Sequence, residues 1–186
     1  MAHGGNVIAE FTADHRELEE IFARIEAQPV DHPQRRVLAN RLTAELVRHS
    51  VAEEMHLYPA VREHVRDGEG LADKELAEHV KIERLLRDLE ELHVHDPRFN
   101  DIVAKLRLEV ASHVREEEKE LFPKLAASCS PEKLDELGRL ARHAKQTLTR
   151  PHPTVPDIPP AHELLVPGAG LVDRVRDLVH GRRTTD

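Results

Sequence analysis

Two stretches of this chain, HSVAEEMHLYP from His49 to Pro59 and HVREEEKELFP from His113 to Pro123, align at a single offset of 64 residues. The alignment pairs His49 with His113, Glu53 with Glu117, Glu54 with Glu118, Leu57 with Leu121, Tyr58 with Phe122 and Pro59 with Pro123. Upstream, the same offset carries His15 onto His79, Leu18 onto Ile82, Glu19 onto Glu83 and Phe22 onto Leu86. Such self-similarity marks a duplicated supersecondary unit. Each copy offers one His and then His-x-x-x-Glu, so the chain reads as a helical hairpin made twice.

The apolar spacing says what that hairpin is. Ile8, Phe11, His15, Leu18, Phe22 and Ile25 recur at three and four residues, which predicts a helix over 7–27, capped by Asn6 and stopped by Pro29. A second helix opens at Asp31 or His32 with Pro33 in its first turn and runs through Leu38, Leu42, Leu46, His49, Glu53 and His56 to a kink or stop at Pro59. After the turn Asp67-Gly68-Glu69-Gly70, a third helix spans roughly 71–93 along Leu76, His79, Ile82, Leu86, Leu89 and Leu92. A fourth follows Asp96-Pro97 over about 97–127, through Ile102, Leu106, Val110, His113, Glu117 and Leu121. The expected fold is all-α: an up-down-up-down four-helix bundle over 1–128, with an additional C-terminal helix. That helix, in 129–149, starts at Ser130-Pro131 and carries Leu134, Leu137, Leu140 and Ala141. Residues 150–186 form a Pro-rich extension, expected to be polyproline-like and to end in a short amphipathic helix over 169–180. A strap over the bundle and a docking arm are its two readings.

Composition narrows the function. With a formal charge of −8, the chain lacks the clustered Lys and Arg that phosphate contacts need, so no nucleic-acid partner is expected. No stretch approaches the ~18 apolar residues of a membrane span, and the N-terminal MAHGGNVIAEF has no leader pattern. Cys129 is alone, which fits a reducing compartment, so a soluble cytoplasmic protein is expected. The 14 histidines are the oddity.

Helix rise explains six residues. From His15 to the end of its helix is roughly 18 Å, and from the start of the next helix to His49 is roughly 24 Å back, so the two finish near one level. The same walk joins His79 to His113. Residues four apart share a face, which sets Glu53 beside His49 and Glu117 beside His113. All six lie in apolar stripes, where uncompensated ionised groups would cost several kcal/mol each. Ordinary surface His–Glu pairs would not keep one offset. Imidazole nitrogens with carboxylate oxygens suit Fe, Mn, Zn or Co. Each ligating imidazole needs an outer partner, for which Glu19, Glu54, Glu83 and Glu118 are the candidates.

On His15, H49-x-x-x-E53-E54-x-x-L-Y-P, His79 and H113-x-x-x-E117-E118-x-x-L-F-P, the chain resembles the hemerythrin-like HHE cation-binding family over about residues 5–127. The resemblance implies a non-haem di-iron centre of two iron ions, oxo- or hydroxo-bridged. His15, His49, His79 and His113 would be terminal ligands, and Glu53 and Glu117 the bridges. It also implies that a small diatomic ligand, dioxygen or nitric oxide, or peroxide meets an open position on one iron. The chain departs from the oxygen carriers at Glu75, where they have a further His, and at Glu117, where they have an Asp five residues after its His. Either Glu75 or His56 completes the ligand set. A carboxylate-rich set favours peroxide or redox chemistry over reversible oxygen carriage. Three functions compete: a di-iron sensor or scavenger, a catalase-like or ferroxidase enzyme, and a metal-stabilised interaction scaffold.

Overall fold

Asn6 opens the first helix by accepting the Ala9 N–H on its side-chain oxygen at 3.0 Å. The computed structural model describes residues 5–147, so the Pro-rich extension and its terminal amphipathic piece lie outside the described residues. Among those residues all regular structure is helical: α1 (Val7–Glu26), α2 (Gln34–Ala52), α3 (Tyr58–His64), α4 (Gly68–Glu91), α5 (Arg98–Glu116), α6 (Phe122–Ser128) and α7 (Pro131–Thr147). Two π-helical turns, Glu53–Leu57 and Glu117–Leu121, join α2 to α3 and α5 to α6. The result is the up-down-up-down bundle with one further helix.

The π turns replace the kinks expected at the prolines. In a regular helix Pro59 would offer no N–H to the Met55 carbonyl and its ring would collide with it. Instead the turn before it widens, and the Tyr58 N–H reaches back five residues to the Glu53 carbonyl. Phe122 does the same to Glu117 ahead of Pro123. Helical φ/ψ is kept throughout at the flanking residues. Both widened turns begin on the glutamates of the repeat.

Other boundaries shift for local reasons. α2 starts at Gln34, because Asp31 takes a left-handed φ of 69° and cannot begin the helix; His32 Nδ1 instead accepts the Gln34 N–H at 3.2 Å. α4 begins at Gly68, inside the expected turn, after Asp67 at φ 61°. Gly68 lies so close to α3 that a Cβ there would overlap the Val61 carbonyl. On α5 the buried stripe is Phe99, Val103, Leu106 and Val110, with Ile102 at its flank. On α7 it is Leu134, Leu137, Ala141 and Ala144, and Leu140 is left exposed.

The core falls into two apolar clusters. One, built on Leu18, Phe22, Leu42, Leu86, Leu89 and Phe99, fills the end near the α1–α2 and α4–α5 connections. The other, built on Phe11, Leu57, Tyr58, Val61, Phe122 and Leu137, fills the opposite end and takes in α7. Between them lies a buried polar layer. α7 is seated by contact as well as by burial: a Cβ on Gly138 would come within 2.7 Å of the Gly5 carbonyl oxygen.

These contacts set opposite outcomes for two nearby glycines. Gly68→Ala should destabilise by about 1–3 kcal/mol through overpacking against Val61. Gly70→Ala, with nothing within 4 Å of its new methyl, should stabilise by about 0.5–1 kcal/mol through helix propensity. Urea midpoints at constant m measure both.

Candidate metal centre

The polar layer holds His15 of α1, His49 of α2, His79 of α4, His113 of α5 and, from the first residues of the two π turns, Glu53 and Glu117. None is more than 6% exposed. All four imidazoles turn Nε2 inward. His49 Nε2 lies 3.1 Å from Glu53 Oε1, and His79 Nε2 lies 3.3 Å from the other oxygen of the same carboxylate. Glu53 thus spans the two halves of the repeat. Glu117 Oε2 faces His15 Nε2 at 3.3 Å and His113 Nε2 at 3.8 Å. Donor atoms of His15, His49, Glu53 and Glu117 fall within 4.8 Å of one another, as do those of Glu53, His79 and His113.

These approaches are close without being hydrogen bonds. His15 Nε2, His49 Nε2, both Glu53 oxygens and Glu117 Oε2 are fully buried and have no hydrogen-bond partner. Buried polar atoms left unpaired cost about 1–3 kcal/mol each, more when charged. A cation at the point where they converge would satisfy all of them. The residues present therefore fit a metal, as two overlapping groups that share Glu53.

The outward ring nitrogens show how the imidazoles are aimed. His15 Nδ1 meets Glu118 Oε1 at 2.9 Å, and its repeat mate His79 Nδ1 meets Glu54 Oε1 at 2.8 Å. Each half thus orients a histidine of the other. His49 Nδ1 meets Asp14 Oδ2 at 3.3 Å, and His113 Nδ1 faces Glu75 at 2.9 Å and Glu78 at 3.4 Å. Of the four outer carboxylates expected, Glu54 and Glu118 take the role. Glu19 instead pairs with Arg107 at 2.9 Å, and Glu83 lies 3.9 Å from Arg87. Asp14 and Glu78 were missed, although the offset of 64 pairs them.

Glu75 and His56, the two alternatives for completing the set, separate. Glu75, 2% exposed, joins His113 and Glu117 as a third donor group. His56 joins none of the groups: the widened π turn breaks the seven-residue stripe from His49 and carries His56 toward His143 of α7. Glu75 and Tyr58 also make the layer unequal. Tyr58 donates to Glu117 Oε1 at 3.2 Å, and its hydroxyl lies 3.1 Å from His79 Nε2. Their repeat mates are Phe11, edge-on to His49, and Phe122, stacked on His15 at 5.8 Å. The His79/His113 side is polar where the His15/His49 side is aromatic.

Known proteins share parts of this sequence and fold. The family model of the hemerythrin HHE cation binding domain matches residues 6–125. An uncharacterized hemerythrin-like protein of Schizosaccharomyces pombe is 27% identical over 168 residues, covering 89% of this chain and 82% of its own. A DNA nickase of Nostoc sp. is 30% identical over 136 residues; these cover 73% of this chain but 38% of that protein. The crystal structure of a hemerythrin HHE cation binding domain-containing protein from Mycobacterium kansasii is similar in fold. Its TM-score is 0.69 at 20% identity, over 91% of this chain and 98% of that one.

Electrostatics describe the layer without metal. Burial pushes the His49 imidazole down, but the charges of Glu53 and Asp14 outweigh it and raise its pKa to about 10. His79 and His113 are raised in the same way, against burial, by Glu53 and Glu54 and by Glu117 and Glu75. Burial alone would raise Glu53, yet His49 and His79 hold it well below the carboxylate range. Protonated imidazoles thus stand where a cation would. Raised histidines stabilise the fold fully below their unfolded value of 6.5 and lose that contribution as pH climbs through the folded one. Glu53 keeps its contribution across that range and loses it only in acid. Metal-free protein should therefore show a higher urea midpoint at pH 6 than at pH 9.5. An equal or higher midpoint at pH 9.5 would show that no such pairing operates.

Proposed function

The chain belongs to the hemerythrin HHE cation binding domain family, and from that premise we propose that its polar layer holds two iron ions and that the pair binds or reacts with dioxygen, nitric oxide or peroxide. The family binds metal cations; the choice of iron and of a pair is our reading. What supports it is four buried Nε2 atoms aimed at two carboxylates that both halves share, with His15 Nε2, His49 Nε2, both Glu53 oxygens and Glu117 Oε2 left without a hydrogen-bond partner. A set rich in imidazole with bridging carboxylates, and no thiolate, suits redox-active first-row metals. Bound iron would supply an open coordination position and exchangeable electrons.

The chain's own residues support a division of labour. Phe11 and Phe122 dry the His15/His49 side and keep those rings in place. On the other side, burial and then the charge of Glu117 push the Tyr58 phenol well above its usual range, so it stays protonated at neutral pH. It can hold or deliver a proton beside His79. Burial likewise raises Glu75, in spite of His113, which leaves a second group, a carboxyl, able to take part in proton exchange. These groups favour peroxide-decomposing or ferroxidase chemistry as the second reading over passive carriage.

Mass-spectrometric metal analysis of protein purified in air should find two iron atoms per chain with near-ultraviolet ferric bands. His113→Ala should lose the bands while keeping its far-ultraviolet helical signal. Colourless, zinc-loaded protein would support the scaffold reading instead. With added peroxide, Tyr58→Phe should slow oxygen evolution by about 100-fold, the scale of one general acid or base, at unchanged iron content. Reversible oxygen uptake, released under vacuum and indifferent to Tyr58→Phe, would defeat the catalytic reading.

A further inference from the structure

α7 stands outside the duplicated bundle, yet its last turns reach the metal layer. Lys145 Nζ donates to both oxygens of Asp14 at 2.8 Å and to Glu10 Oε1 at 2.5 Å. It also lies over the Phe11 ring, 5.9 Å from the centroid. One helix turn earlier, Arg142 donates to Glu10 Oε2 at 3.3 Å and to the Gly5 carbonyl at 2.7 Å. Asp14 and Phe11, both covered by Lys145, also bear on His49. Asp14 Oδ2 accepts from its Nδ1, and Phe11 packs edge-on against its ring at 5.4 Å.

The internal repeat shows why a residue from outside is needed. In the second half, the position that corresponds to Glu10 is Lys74, so the Glu78 that faces His113 has a cation on its own helix. In the first half, Glu10 and Asp14 put two carboxylates side by side on α1, and Glu10 is 1% exposed. Like charges one helix turn apart repel. Without a cation between them, the Asp14 carboxylate would be free to turn from His49 toward water. Lys145, its side chain only 16% exposed, sits between the two and fixes both.

We propose that Lys145 is a positioning residue of the metal centre: by clamping Asp14 against His49 Nδ1, it presents His49 Nε2 to the ion shared with His15, Glu53 and Glu117. The inference rests on the two-ion reading above. It makes the docking of α7 a determinant of one ion site and not of the other, since the acids that face the outer nitrogens of His79 and His113, Glu54, Glu75 and Glu78, all belong to the bundle itself. Outer partners of ligating histidines set both tautomer and ring direction, and their loss weakens metal binding by about 10–100-fold.

The test uses Co(II) as the probe on the full chain, with its two affinities resolved by competition against a chromophoric chelator. Lys145→Met should weaken one site by about tenfold and leave the other within about twofold. Lys145→Arg should restore the weakened site. Lys133→Met, on the same helix but paired with Glu136, should leave both affinities unchanged. Two unaltered affinities in a folded Lys145→Met protein, or equal weakening of both sites, would overturn the proposal. If that variant does not fold, Asp14→Asn poses the same question: loss at one site supports the clamp, and two intact sites overturn it. Uptake of fewer than two Co(II) by the unmutated chain would overturn the two-ion reading and the clamp with it, before any variant is measured.

Discussion

Four imidazoles and two carboxylates buried across the middle of a helical bundle need positive charge among them, and much of the structure is arranged around meeting that need. Burying an ionised group without compensation costs several kcal/mol, comparable with the whole stability of a domain. Here the buried layer divides the core, with one apolar cluster toward the paired connections and another toward α7. The apolar clusters hold the helices in register. That register in turn holds Nε2 atoms of four different helices about two carboxylates, while the outer ring nitrogens of His15, His49 and His79 are hydrogen-bonded to acids and that of His113 faces Glu75. Without metal, the acids around His49, His79 and His113 favour the protonated form of those imidazoles, whose charge a bound metal would replace.

Duplication explains both the economy and the irregularity of the site. The two halves exchange support, since Glu54 orients His79 and Glu118 orients His15. The pattern is then broken at a few positions. Glu75 and Tyr58 occupy places that are Phe11 and Phe122 in the other half, so one side of the layer can handle protons and the other excludes water. Lys74 stands where the first half has Glu10, and the first half borrows Lys145 from α7 to compensate. The shared pattern thus accounts for the six donors gathered in the layer, and the departures from it account for what distinguishes its two sides.

Much of this was legible in the residues themselves. The offset of 64 and the rise of a helix were enough to bring His15, His49, His79, His113, Glu53 and Glu117 to one level. Asn6 and the prolines near 97 and 131 marked helix starts that the structure keeps. What escaped has definite causes. A proline within a helical pattern says that a turn must change, not how, and here it widens into a π turn; that same widening turned His56 away from the stripe it was read on. Glu19 and Glu83 keep the repeat offset but lie beside arginines, Glu19 exposed and paired with Arg107, Glu83 half-buried near Arg87. Asp14 and Glu78 carry the same offset, but as aspartate against glutamate the pair is not an identity in the repeat. The contribution of Lys145 has no counterpart in the repeat, so only packing reveals it.

The central claim is that the inward Nε2 atoms and the two shared carboxylates are metal donors. Anomalous diffraction from crystals of iron-loaded protein tests it most directly. Two peaks are expected between Glu53 and Glu117, one against His15 and His49 and the other against His79 and His113. A layer without peaks, or a peak only on the outer, Nδ1 side of the imidazoles, would contradict it.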